Sequence, residues 1–132
     1  QIVQAEHSMT LFHKWLATYN VRPILTEKHL VSPRYCYGGT LDLYATITIG
    51  KQDFTELIDF KTSSGFYSTH FAQIAAYRNL LTENGYVVEN CRVVKLAPDP
   101  TVDSFAEAQL LSLDKYWILF RHCLAIWKLK LL

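Results

Sequence analysis

The sequence has little cysteine, and what it has is scattered. Cys36, Cys91 and Cys123 lie far apart and no C-x-x-C occurs, so neither a zinc site nor a disulfide framework is indicated. They read as reduced, partly buried thiols of an intracellular protein. A surplus of charge is missing too: 13 basic against 12 acidic side chains leave +1. Proteins that grip nucleic acid by electrostatics alone are much more basic. Positive charge serving such a partner must therefore be local, and partly offset by acidic groups. No apolar run is long enough for a membrane span, because Lys115, Arg121, His122, Lys128 and Lys130 interrupt the C-terminal one. No signal-peptide pattern opens the chain, and repeats and low-complexity segments are absent. The first residue is Gln1 rather than Met, which reads as an excised domain or a fragment of a longer protein.

What is present is one domain's worth of chain. Of 132 residues, 50% are apolar and 14% aromatic, enough for one sizeable core. Phe12, Trp15, Leu16 and Tyr19 recur at helical spacing, so residues 8–19 read as an amphipathic helix ended by Asn20 and Pro23. Residues 24–31 and 35–49 read as strands, separated by Ser32-Pro33. A turn at Gly50-Lys51-Gln52-Asp53 leads to a return strand at 54–61. After a small-residue loop at 62–65, Ser68 or Thr69 can cap a helix that Gly85 stops. Residues 87–97 are β-rich, residues 101–112 are ambiguous, and Asp114 can cap a last helix. The order α-β-β-β-α-β-α predicts a mixed α/β (α+β) domain, a small mixed sheet flanked by helices.

The chemistry starts at Ile58-Asp59-Phe60-Lys61. Strand side chains alternate, so Asp59 and Lys61 share a face. Alone, that pair is equally well a solvated edge. If Gly50 faces Asp53 across the turn, Tyr44 faces Asp59 and Asp42 faces Lys61, which brings Asp42 to the same face. Diagonal neighbours in a sheet sit ~7–8 Å apart, close enough to share a cation through side-chain reach. A register shifted by one would separate them. Glu27, on the preceding strand, reaches this face if the Ser32–Arg34 turn gives an odd register; otherwise it is a surface acid. Packed carboxylates repel and resist desolvation, and a hard cation such as magnesium or manganese would relieve that cost. On the next helix Gln73 and Tyr77 are four apart and hence on one face; alone they are ordinary helix filler.

Together, Glu27, Gly38-Gly39-Thr40-Leu41-Asp42, Leu57-Ile58-Asp59-Phe60-Lys61-Thr62-Ser63 and Gln73-x-x-x-Tyr77 resemble the RecB-type branch of the PD-(D/E)XK phosphodiesterase superfamily. The resemblance spans residues 27–77 and implies a restriction-endonuclease-like αβββαβα core over residues 1–132. It implies a magnesium- or manganese-dependent deoxyribonuclease, an exonuclease of phage or bacterial DNA processing, recombination or repair. Asp42 and Asp59 match the metal-ligating acids, with Glu27 binding the metal directly or through water and the Phe60 backbone carbonyl as a further ligand. Lys61 matches the lysine that positions the attacking water and stabilises phosphoryl charge. Gln73 and Tyr77 match the helix motif that orients the site and contacts the substrate strand.

Some features depart from that pattern. The branch usually carries a metal-binding histidine upstream, and neither His7 nor His13 sits in a convincing match; the counterpart would precede Gln1. Three scattered cysteines argue against the iron–sulfur cluster of some members. Leu41 replaces the proline of the superfamily name. Arg22, Lys28, His29, Arg34, His70 and Arg78 are candidates for phosphate contacts, and Tyr35, Tyr37, Phe66 and Tyr67 for base stacking, each set against scattered surface charge or core packing. Ring-forming relatives leave homo-oligomers open. The competing expectation is a DNA-binding module that keeps the fold without turnover; a third is an interaction domain in which the motif is coincidental.

Overall fold

Among the described residues eight elements follow one another: α1 (Ile2–Thr18), β1 (Arg22–Ser32), β2 (Tyr37–Ile49), β3 (Gln52–Lys61), α2 (Ser68–Glu83), β4 (Asn90–Lys95), β5 (Ala106–Leu110) and α3 (Asp114–Lys128). The computed structural model describes residues 2–62, 68–97, 99, 101, 105–110 and 112–130. The strands form one mixed sheet in the order β1-β2-β3-β4-β5. Only β3 and β4 run parallel; the other neighbours are antiparallel. Parallel neighbours need a long crossover, and α2 provides it. β5 is an addition to the expected order. It lies in the ambiguous stretch, and its Ala-Glu-Ala-Gln-Leu sequence has little strand preference of its own; pairing along β4 makes it a strand.

The sheet buries both faces. On one side α1 inserts Leu11 and Trp15 against Leu43, Ala45, Ile47, Ile58 and Val94, and Phe12 and Trp15 each meet the Phe60 ring edge-on. On the other side α2 lays Ile74, Ala75, Leu80 and Leu81 over Leu41, Tyr44, Leu57 and Val93. Side chains on neighbouring positions of β3 therefore serve opposite cores, Leu57 one and Ile58 the other, as a period of two requires. The helices stop where the sequence marks them. Asn20 (φ 46) lets Val21 N–H reach Leu16 O and Asn20 N–H reach Ala17 O. Gly85 (φ 89) does the same with Tyr86 to Leu81 and Gly85 to Thr82. Both are Schellman closures around a left-handed residue. Helix α3 packs on α2 but buries no residue fully. Its N-cap is Leu113, which makes no side-chain cap; Asp114, expected as the cap, sits inside the first turn, where its charge still favours the helix dipole. No helix among the described residues is long and apolar enough to cross a membrane.

Candidate active site

The β2–β3 hairpin turns on two residues, Gly50 and Lys51, with Ile49 opposite Gln52 and Gly50 at φ 63. Glycine in the first position of such a loop suits the twist of the strands. The expected pairing of Gly50 with Asp53 would make Lys51-Gln52 the loop and set Tyr44 opposite Asp59 and Asp42 opposite Lys61. The loop starts one residue earlier, which slides the register by two, and Tyr44 pairs with Leu57 instead. A slide of two preserves the alternation of faces, whereas a slide of one would have inverted it.

The β2–β3 ladder ends at Leu43 and Ile58. Beyond it β3 continues along β4 as far as Lys61 opposite Lys95, while β2 follows β1 back to Tyr37 opposite Ser32. The sheet opens into a fork, and Asp42 and Asp59 are the first residues past its crotch. Asp42 fills the break: the Phe60 N–H donates to its Oδ2 at 2.9 Å, in place of a ladder carbonyl. The strand turns over at this point. Leu41 enters the core under α2 and Leu43 the core under α1, although residues two apart in a regular strand share a face.

Across from Asp42, β1 is distorted too. Pairing runs from Thr26–Leu43 to Lys28–Leu41 and skips Glu27, which takes φ 47. Such a left-handed conformation costs a non-glycine residue about 1–2 kcal/mol. Glu27 is exposed, and it lines with Asp42, Thr26, Leu43, Phe12 and Phe60 a cavity of 390 Å³ on the α1 side. The odd register that the Glu27 expectation required is present and sets Glu27 across from Asp42, while among the described residues no group of three Asp, Glu, His or Cys is arranged to hold a metal. The left-handed turn at Glu27 accompanies its exposure to solvent. His7 and His13 lie on α1, but the α1 side chain lining the Asp42 cavity is Phe12.

On the α2 side, Asp59 is 2% exposed and Lys61 places its ammonium 3.0 Å from Asp59 Oδ2. That oxygen nonetheless accepts no hydrogen bond, so the lysine's attraction is Coulombic rather than directed. The ammonium instead donates to Gln73 Oε1 at 2.7 Å, and Gln73 Nε2 donates to Tyr77 OH at 2.8 Å. The expected i, i+4 pair therefore works as a relay that aims Lys61. Tyr77 keeps its phenol proton, because burial and then the Asp59 charge raise its pKa. Burial, followed by contact with the Asp42 carboxylate, pushes Asp59 up to about 7, with Lys61 opposing. Cationic charge gathers just beyond: Lys95 pairs with Lys61 in register, and burial, then Lys61 and Lys95, hold His70 below its ordinary value.

Gly39 is a site residue whose role sequence reasoning passed over. A Cβ there would stand 2.8 Å from Tyr77 Cε1, so only glycine leaves room for the ring. Its place in the Gly38-Gly39 pair was visible; its partner, 38 positions away in the chain, was not. The other candidates scatter. Arg22 pairs with Asp53 at the hairpin end, Tyr37 donates to Ala76 O within the packing, and Phe66 and Tyr67 lie outside the described residues, as do residues 63–65 of the expected loop.

Asp42 and Asp59 fit a divalent cation. They present two hard oxygen donors in contact, one of them buried without a hydrogen bond. Magnesium is commonly held by one or two carboxylates, with water and substrate phosphate completing its shell.

No protein-family model and no curated protein matches this sequence. One solved structure, described as "Crystal structure of SSO0001", is similar at 16% identity and a TM-score of 0.42 over 90% of this chain and 56% of that one. The chain spans just over half the length of that neighbour, and a likeness this faint says nothing about function.

Proposed function

We propose that this protein is a divalent-metal-dependent nuclease that hydrolyses phosphodiester bonds of DNA, acting from strand ends in intracellular DNA processing. The observation that carries the reading is the fork: two aspartates in contact, one with an unsatisfied buried oxygen, beside a lysine held by a glutamine–tyrosine relay. The sequence resemblance to RecB-type nucleases supports the same assignment.

Asp42 and Asp59 would hold magnesium or manganese, which supplies a polarised phosphoryl oxygen and a more acidic water. The chain's own groups do the rest. The Phe60 N–H fixes Asp42 in one orientation. Lys61, fixed by Gln73, offers its remaining N–H donors to a phosphoryl oxygen as negative charge develops. Tyr77 accepts from Gln73 and so has its own O–H proton to give to a substrate phosphate.

A specific observation favours a second reading, binding without turnover: Glu27 is exposed, and among the described residues no group of three Asp, Glu, His or Cys is arranged to hold a metal. End-labelled linear DNA and closed circular DNA, single- and double-stranded, incubated with Mg²⁺, Mn²⁺ or EDTA, separate the two. Metal-dependent loss of linear DNA alone, absent in Lys61→Ala, is the expected result. Intact DNA in every metal would leave the binding module.

A further inference from the structure

Helix α3 carries more than its packing needs. Between α3, α2 and the start of β2 lies a groove of 790 Å³. Its floor is Gly38-Gly39, which bring no side chains; Tyr37, Phe120 and Trp127 are its aromatic wall. At one end it includes Gln73 and Tyr77, the relay of the candidate active site. The groove and the site are therefore one continuous surface. Trp127 is 64% exposed, a large ring that the fold leaves in solvent.

Positive charge lies at the groove's rim. The Tyr35 ring has the Arg34 guanidinium at 5.3 Å and that of Arg121 at 5.2 Å, and Lys128 Nζ donates to Tyr35 O. Each of these cations is a chain neighbour of the groove, Arg34 near Cys36, Arg121 next to Phe120, Lys128 next to Trp127. Glu83, beside this rim, is tied to Ser32, Asn79 and the Arg34 backbone. Along α3, Lys115, Arg121 and Lys128 face a lone Asp114. A chain of net charge +1 has thus collected cations beside an aromatic trough.

We propose that this groove is the track of a single, unpaired DNA strand, with a base stacked on Trp127 and Phe120 and its phosphates on Arg34, Arg121 and Lys128. The aromatic faces take bases of any sequence, and the cations take the backbone. A duplex would keep its bases inside and leave the rings uncovered. The strand then runs past Tyr77 and Gln73 toward Lys61. The proposal rests on the nuclease reading for its choice of substrate, but binding is tested without cleavage.

The experiment is fluorescence anisotropy of 5′-fluorescein dT12 in EDTA, with Trp127→Ala, Arg121→Ala and, as a control at the far hairpin, Lys51→Ala. Losing one base–aromatic stack weakens single-strand binding roughly 5- to 150-fold, and that is expected for Trp127→Ala. Arg121→Ala is expected to weaken binding and flatten the dependence of log affinity on log salt by about one. Lys51→Ala leaves binding unchanged, and a blunt duplex competes poorly. Bound dT12 also slows thiol-reagent attack on Cys36 and Cys123, both exposed and both lining the groove. Unchanged affinity in Trp127→Ala, or equal competition by blunt duplex, would overturn the proposal. So would self-association that Trp127→Ala abolishes, since the groove would then seat a second copy. Binding that follows this pattern without any cleavage would remove the nuclease reading and keep the groove; cleavage unaffected by Trp127→Ala would do the reverse.

Discussion

Strand β3 carries two buried acids three residues apart, Glu56 and Asp59, and the fold treats them in opposite ways. Glu56 is 0% exposed and points to the α1 side. Arg92 clamps it with two bonds, Nε to Oε1 at 2.9 Å and Nη2 to Oε2 at 3.1 Å, and uses Nη1 on Glu107 at 2.7 Å. Tyr19 donates to the same Glu107 oxygen, and its ring lies 5.1 Å from the guanidinium. Asp59, on the α2 side, meets Asp42 with no cation between them, and only Lys61 beside it. Both clusters contain two acids and one base. In the first the base stands between the acids and spends its planar donors on them. In the second the base is turned toward Gln73, and the acids face each other. The first arrangement pairs both acids with the base, although Glu107 Oε2 accepts no hydrogen bond, and ties β3, β4, β5 and α1 together. The second is short of positive charge in the way a cation site is.

The largest expected effect breaks the Arg92 cluster. Arg92→Ala leaves Glu56 charged and unpaired in the core, and the expected loss is about 3–5 kcal/mol in urea denaturation. Replacing Arg92 by Met together with Glu56→Gln should recover much of it; a single mutant as stable as the wild type would mean the clamp is idle. Next comes Lys61→Ala, where cleavage should fall about 10²–10³-fold, as when one charge-stabilising donor is removed. Lys61 is partly exposed, so its melting temperature should barely move. A large drop in stability with proportionate activity would make Lys61 a structural residue like Arg92.

Gly39→Ala is intermediate. The new methyl meets the Tyr77 ring, and overpacking of this kind costs about 1–3 kcal/mol. Adding Tyr77→Ala should restore stability without restoring cleavage, since the relay to Lys61 would be gone. The last effect concerns pH. Asp59 holds its proton to about 7 in the fold, against an ordinary 3.8. Between those values the folded chain keeps a proton that the unfolded chain has released, so stability falls as pH rises through that window and stays low above it. Asp59→Asn removes the penalty. Its melting temperature should match the wild type near pH 4 and exceed it at pH 8. Added Mg²⁺ should raise the wild type at pH 8 and leave the variant unmoved; a parallel pH response of the two proteins would contradict the assignment.

Much of this was legible along the chain. Periodicity located α1, α2 and α3, glycine and asparagine marked two helix ends, and alternation put Asp59 and Lys61 on one face. Local spacing suffices where the interaction is local, as for Gln73 and Tyr77 one turn apart. Long-range pairing was only partly legible. Nothing near Glu56 or Arg92 in the sequence announces a partner 36 positions away. The hairpin register depended on whether the two-residue loop was Gly50-Lys51 or Lys51-Gln52, which the composition of Gly50-Lys51-Gln52-Asp53 does not distinguish.

Along the chain alone, every element but β5 could be read, and so could the residues of the candidate site: an Asp, an Asp-x-Lys and a Gln-x-x-x-Tyr, each placed by a backbone period of two or 3.6. The tertiary structure decided how they meet. The ladder between β2 and β3 stops at Leu43 and Ile58, so Asp42 satisfies a backbone amide and touches Asp59, while Glu27 stays exposed at a left-handed kink. Hydrogen bonding between strands is a property of both chains at once, and the place where it ends is written in neither strand alone.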